Sequence, residues 1–226
     1  MSTHSSGRVD PRLTTKLDVS RLPADLLARA AGLPSSTLHE AAGKIGVLPP
    51  TIQGVSSSFR VCGPALTVHS PPGDNLWLHR ALAVAQPGDV MVVYTSGVYE
   101  HGYWGEIMAT AAQACGLAGL VIDGCVRDLT LLEEMGFPVF ARGACMRGTG
   151  KDFGATGFIN HPVLMGEVSV SAGDLIVGDA DGVVAIPHAQ VASVLDAALA
   201  REAKEAAIMA KLRAGGVTTL SLYGWE

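Results

Sequence analysis

Apolar and polar positions along this chain follow two rhythms, and the change comes near residue 160. Before it, short apolar runs alternate with helix-spaced stretches. Leu22 to Ala31 has helical spacing with Pro23 near its start. Ser35-Ser36-Thr37 followed by Glu40 has capping-box spacing and predicts a second helix. Arg60 to His69 alternates as a strand does, and Asp74 to Ala85 reads as a helix. Val90-Met91-Val92-Val93-Tyr94, within Asp89 to Thr95, reads as a short buried strand. A helix from about Gly105, a strand from Ala118 to Ile122, a helix from Asp128 to Met135 and a strand from Pro138 to Ala141 follow.

Alternation of this kind predicts a layered α/β core with parallel pairings. From Val163 to Pro187 the pattern becomes short strands broken at Gly173-Asp174 and Asp181-Gly182, a β-rich layer. Ala189 to Arg213 is a long alanine-rich helix that Gly215-Gly216 ends. No linker-like stretch divides the chain. The expected organisation is one α/β domain over residues 17–226, with a central layered sheet and a long C-terminal helix, behind a flexible tail over residues 1–16.

Composition adds constraints. The chain has 226 residues, 48% of them hydrophobic and only 16% charged. That suffices for one substantial core and suggests further apolar surface hidden in subunit contacts. No apolar run approaches the roughly 20 residues of a membrane helix, and the polar start has no apolar signal core, so the expectation is a cytoplasmic protein without a membrane partner. A net charge of −5 gives nucleic-acid binding no electrostatic support. Cys62, Cys115, Cys125 and Cys145 are widely spaced, without a C-x-x-C, and read as small thiols in a reducing compartment.

The candidate chemistry lies between Gly105 and Asp128. A helix that starts at Gly105 leaves its first backbone N–H groups unpaired, which suits a carboxylate or phosphate. The same residues also read as an ordinary helix start, with Glu106 complementing the dipole. Arg127 can grip a planar carboxylate with two parallel hydrogen bonds, or form a surface ion pair. Asp128 can cap the next helix, or offer a hard oxygen to Mg2+ or Mn2+. Their adjacency where a strand turns into a helix favours a site, because α/β folds bind ligands at the carboxyl ends of strands.

Other constellations fail. Gly148-Thr149-Gly150-Lys151 looks superficially like a phosphate loop, but Cys145 replaces the first glycine and Asp152 the Ser/Thr. There is no G-x-S-x-G and no H-E-x-x-H. His101 could shuttle protons, although a structural role fits a loop histidine better. Lys16, Lys44, Lys151, Lys204 and Lys211 fall outside the predicted buried strands, where desolvation would prepare an amine for a Schiff base. Glu202 and Glu205 on the long helix are solvated charges or intersubunit contacts.

The ordered series Gly63 to Val68 (Gly-Pro-Ala-Leu-Thr-Val), Gly73-Asp74-Asn75, Pro87-Gly88-Asp89-Val90, Gly105-Glu106, Val121 to Asp128 and Asp179-x-Asp181-Gly182-Val183-Val184 resembles the RraA-like family. This is the family of 4-hydroxy-4-methyl-2-oxoglutarate aldolases, which also contains the regulators of ribonuclease activity A. The resemblance covers roughly Leu22 to Gly215. It implies a swivelling β/β/α domain assembled as a homotrimer or hexamer. It implies a pyruvate aldolase that uses Mg2+ or Mn2+ at a subunit boundary and cleaves a small 4-hydroxy-2-oxo acid, such as 4-hydroxy-4-methyl-2-oxoglutarate or 4-carboxy-4-hydroxy-2-oxoadipate, with oxaloacetate decarboxylation as a side activity.

By position, the resemblance makes Asp128 the direct metal ligand and Arg127 the holder of the pyruvate moiety. The Gly105 turn and the amides of Ile107 and Met108 would bind the carboxylate. Glu106 would act through water, and so would Glu205 of a neighbouring subunit, with Glu202 as the runner-up. The regulator branch typically lacks the Asp of the Arg-Asp pair, which is intact here. Gly-Glu at 105–106 departs from the Gly-Asp of some aldolases. A non-catalytic regulator that binds a ribonuclease or another protein is the alternative.

Overall fold

The computed structural model describes residues 8–225. In chain order its helices and strands are α1 (Ala24–Ala30), α2 (Ser35–Ala41), β1 (Gln53–Gly54), β2 (Val61–His69), α3 (Leu76–Leu82), β3 (Val90–Tyr94), α4 (Glu106–Ala114), β4 (Gly119–Asp123), β5 (Cys125–Val126), α5 (Leu129–Met135), β6 (Val139–Ala141), β7 (Gly143–Ala144), β8 (Phe158–Ile159), β9 (Val163–Met165), β10 (Val168–Val170), β11 (Leu175–Asp179), β12 (Gly182–Ile186), α6 (Val191–Ala214) and α7 (Thr219–Tyr223).

The main sheet runs β1-β6-β4-β3-β2-β11-β12, with β8 also paired to β2. Strands β2, β3, β4 and β6 are parallel neighbours, whereas β11 lies antiparallel to both β2 and β12. One stretch of chain nearly closes this sheet into a barrel. The Leu48 amide donates to Val183 O on β12 at 2.9 Å, and a few residues later β1 pairs with β6 at the opposite edge.

Parallel strands must be covered on both faces, which explains why β3 and β4 are apolar without alternation. Val90, Met91, Val92 and Val93 are fully buried, as are Leu120, Val121 and Ile122. One apolar cluster joins this part of the sheet to α3, α4 and α5 through Trp77, Ala109 and Leu132. A second cluster joins β11 and β12 to α1, α2 and the first half of α6 through Leu38, Val184 and Leu195. Beyond Ala198 no residue of α6 is buried, although Arg201 and Glu202 still bond to α2.

One local expectation is corrected. The capping box at Thr37 and Glu40 does not form. Helix α2 starts at Ser35 after Pro34, so Thr37 already lies inside it; its hydroxyl donates to Glu202 Oε1 at 2.6 Å, and Glu40 pairs with Arg201. The described part of the tail is docked: Val9 N–H donates to Phe153 O at 2.9 Å and Lys16 N–H to Ile159 O at 3.1 Å. Residues 1–7 lie outside the described residues. Among the described residues, no helix is long and apolar enough to cross a membrane, and all four cysteines are free thiols.

Candidate functional site

Each parallel strand delivers its following loop to the same end of the sheet. From β2 the chain turns through Gly73-Asp74-Asn75 into α3, from β3 through a loop that carries Tyr99, Tyr103 and Trp104 into α4, and from β4 through β5 into Arg127-Asp128 and α5. Backbone bonds lock these loops together. Tyr103 N–H donates to Cys125 O at 3.1 Å, and Arg127 N–H to Trp104 O at 2.9 Å. The Tyr103 hydroxyl donates to Val98 O at 2.5 Å and accepts from the Gly73 amide at 2.9 Å, tying the first loop to the second.

Together the loops enclose a cavity of about 290 Å3. Gly105, Ile107 and Met108 line one side, beside Arg127 and Asp128. Asn75 and His79 line another, and Gly148, Thr149 and Lys151 close it. Five of the expected site residues therefore share one cavity. Glu106 is not among the lining residues; its amide bonds to Asp128 and its side chain is exposed.

Asp128 occupies the residue before α5 in the left-handed region (φ 60, ψ 38), and its carboxylate does not cap that helix. Instead Oδ2 accepts the Glu106 amide at 3.1 Å, crossing from the start of α5 to the start of α4. The Arg127 Nε lies 3.7 Å from the same oxygen. This close approach needs a residue without a side chain at 105, because a Cβ there would lie 2.3 Å from Asp128 Oδ2. Among the described residues, the amides of Ile107 and Met108 have no acceptor, whereas the next amide, Ala109, returns to Gly105 O at 3.0 Å. The start of α4 thus presents two free donors beside a guanidinium and a carboxylate.

For a cation, Asp128 supplies one hard oxygen donor group, with its second oxygen, Oδ1, unengaged by hydrogen bonds among the described residues. No cluster of three His, Cys, Asp or Glu residues suited to a metal occurs among the described residues. This donor set fits an ion that keeps several waters and takes one or two carboxylates, as Mg2+ and Mn2+ do, rather than a closed cage. Glu202 and Glu205 lie outside the cavity of their own chain. Glu202 is held by Thr37, and Glu205 Oε1 takes Arg201 Nε at 2.8 Å with 42% of its side chain exposed.

Asn75, His79 and Lys151 are among the lining residues that escaped the sequence reading of the site. Asn75 stands before α3 but does not cap it, because Asp74 Oδ1 takes the Leu76 amide at 2.7 Å. Its sequence signal was the Gly73-Asp74-Asn75 motif of the family resemblance, to which no role in the site was attached. Lys151 reaches the cavity because Asp74 also anchors its loop, accepting the Asp152 amide at 2.5 Å, while Gly150 N–H donates to Gly73 O at 2.8 Å. His79 follows one turn after Asn75 on α3. Loss of water on its packed side, and then the Lys151 cation, push its pKa below the ordinary imidazole value, with Asp74 opposing.

A family model described as "RraA-like: Aldolase/RraA" matches residues 25–185. The chain belongs to the RraA-like family. A relative from Halalkalibacterium halodurans, provisionally named 4-hydroxy-4-methyl-2-oxoglutarate aldolase, is 35% identical over 189 residues, which is 84% of this chain and 89% of that protein. Among solved structures, an uncharacterized protein from Pseudomonas syringae pv. tomato superposes on this RraA-like chain with a TM-score of 0.79 at 28% identity, covering 88% of this chain and 93% of the other. The Streptomyces coelicolor protein RraAS2, described as an unusual member of the RNase ES inhibitor RraA family, superposes with a TM-score of 0.73 at 27% identity, covering 83% and 97%. The RraA-like family holds both kinds of protein, so the chemistry of this chain has to be argued from its own cavity.

Proposed function

We propose that this chain is a pyruvate-forming aldolase that cleaves a 4-hydroxy-2-oxo acid bearing a second carboxylate, with Mg2+ or Mn2+ as cofactor. One observation carries the reading: the Arg127 guanidinium, the Asp128 carboxylate and the two free amides at 107 and 108 border one small cavity. The provisional name of the Halalkalibacterium relative agrees with it.

In this reading the amides of Ile107 and Met108 bind the C1 carboxylate. Arg127 donates to the C2 oxygen. Cleavage breaks the C3–C4 bond, and its electron pair moves to C3 and the C2 oxygen as an enolate. The C4 hydroxyl loses its proton and becomes the carbonyl of the second product. Arg127 gains most in that step, because the charge on the C2 oxygen grows towards it. Glu106, exposed at the edge of the cavity, orients the water that takes the hydroxyl proton. Lys151 and His79, which also line the cavity, would meet the second carboxylate. Asp128 would hold the divalent cation, with Glu205 of a neighbouring copy, or Glu202, contributing through water. When bound, the cation supplies Lewis-acid stabilisation of the developing negative charge. Oxaloacetate would lose carbon dioxide through the same enolate. Protonation at C3 completes pyruvate in both reactions.

The alternative is a regulator that binds a ribonuclease or another protein, favoured by the structural likeness to RraAS2. A coupled pyruvate-release assay on 4-hydroxy-4-methyl-2-oxoglutarate and oxaloacetate, with and without chelator, separates the two. Chelator-sensitive pyruvate release supports the aldolase. No pyruvate from either compound leaves the regulator.

A further inference from the structure

Two residues that line the cavity carry buried polar atoms that the reading above leaves unpaired. Asn75 is only 6% exposed. Its Nδ2 donates to Tyr103 O at 2.9 Å, while its Oδ1 has no partner among the described residues. The amide cannot be turned over, since that would set Oδ1 against the Tyr103 carbonyl, acceptor against acceptor. One residue along from that carbonyl, Trp104 is 1% exposed and leaves its indole N–H unpaired as well. Both residues line the cavity.

A buried acceptor without a donor is costly, and native proteins keep few of them. A carboxylate cannot answer Asn75, because it has no hydrogen to give. A ketone has none either. An alcohol both donates and accepts, which suits a wall with one unmet acceptor and one unmet donor. We propose that Asn75 Oδ1 accepts a hydrogen bond from the C4 hydroxyl of the substrate, making Asn75 a specificity-determining residue for hydroxylated oxo acids. This rests on the aldolase reading. An amide oxygen is far too weak a base to keep the proton, so Asn75 selects and positions the hydroxyl and the proton leaves to another group. Its effect therefore falls on KM more than on kcat.

The test is Asn75→Leu, which keeps the size and removes both the acceptor and the Nδ2 bond to Tyr103 O, assayed with two substrates so that the structural loss, common to both, is separated from the loss of the acceptor. Oxaloacetate in its keto form has no hydroxyl and serves as the internal control. For 4-hydroxy-4-methyl-2-oxoglutarate, KM should rise about 10-fold or more with kcat within about 3-fold. For oxaloacetate, both constants should stay within about 3-fold. A parallel loss on both substrates, or an unchanged KM for the hydroxylated one, overturns the proposal. Should circular dichroism show that the variant is unfolded, the wild-type protein decides. As competitors of oxaloacetate, 4-hydroxy-4-methyl-2-oxoglutarate should bind about 10-fold tighter than 4-methyl-2-oxoglutarate, and equal binding overturns the inference. A wild-type chain without either activity sinks the aldolase reading itself, and the inference with it.

Discussion

Asp128 Oδ2 accepts the backbone N–H of Glu106 at 3.1 Å, joining the residue that precedes one helix to the first residue of another. The bond orients the carboxylate towards the cavity and uses one of the free amides of α4. Its structural and chemical contributions can be separated. Asp128→Asn keeps an oxygen acceptor and tolerates the left-handed backbone, but loses the charge. Pyruvate release should fall about 100-fold or more, while the melting temperature moves by only about 4 °C or less. A near-normal rate with Mg2+ present would remove Asp128 from the chemistry.

Gly105→Ala tests the same contact from the other side. The backbone at 105 is extended (φ −163), so alanine meets no backbone strain there. The obstacle is steric, because the new Cβ would press on Asp128 Oδ2. Turnover should drop at least about 10-fold, with a loss of stability of about 1–3 kcal/mol. Denaturant melts and the pyruvate assay report the two effects separately.

Arg127→Lys keeps a positive charge and removes the planar fork. A lysine cannot reproduce the paired donors, so kcat should fall about 10- to 100-fold. A wild-type rate for this variant would mean that a simple point charge suffices, and Arg127→Ala would then be needed to show any role at all.

The depressed pKa of His79 has two lowering causes, and they can be told apart. Burial is the larger and the Lys151 cation the smaller. In a proton NMR titration, Lys151→Met should raise the His79 pKa yet leave it below about 6.5. A value at or above the ordinary one would show that Lys151, not desolvation, controls this imidazole. The same variant should raise KM for the dicarboxylic substrate.

A pH effect on stability follows from Asp179. Burial alone would raise its pKa, but hydrogen bonds from the Ser35 hydroxyl at 2.6 Å and the Ser35 amide at 2.8 Å, with help from the Asp181 amide and Arg60, lower it overall. A carboxylate depressed in the folded state stabilises fully above its unfolded pKa of about 4 and loses that contribution as pH falls through the lower folded value. The stability gap between wild type and Asp179→Asn in urea melts should therefore be widest above about pH 4 and narrow below it. A gap that is constant from pH 3 to 6 would contradict this.

Local pattern and tertiary arrangement divided the information unevenly. The apolar runs at 90–94 and 118–122 were legible as buried strands because both of their faces are covered, and a residue type buried on every side leaves a continuous signal. The helix start at Glu106 was legible because glycine before a helical run marks a boundary. Short pieces such as β5, β7 and β8, two residues each, carry no period of their own and exist only through their partners. The capping box at Thr37 failed for the same reason: a hydroxyl that could close a helix locally found a glutamate 165 residues away.

By itself, the order of residues determined the alternation of elements, the family, and the adjacency of Arg127 and Asp128 on one turn, since all three are written in neighbouring positions. Only the tertiary structure decided that Asp128 bonds to the start of α4 rather than capping its own helix, that Asn75 is left with an unmet acceptor, and that Lys151 closes the cavity. Those outcomes depend on loops from four different strands meeting at one end of the sheet, and a hydrogen bond across such distances in sequence is set by packing, not by spacing along the chain.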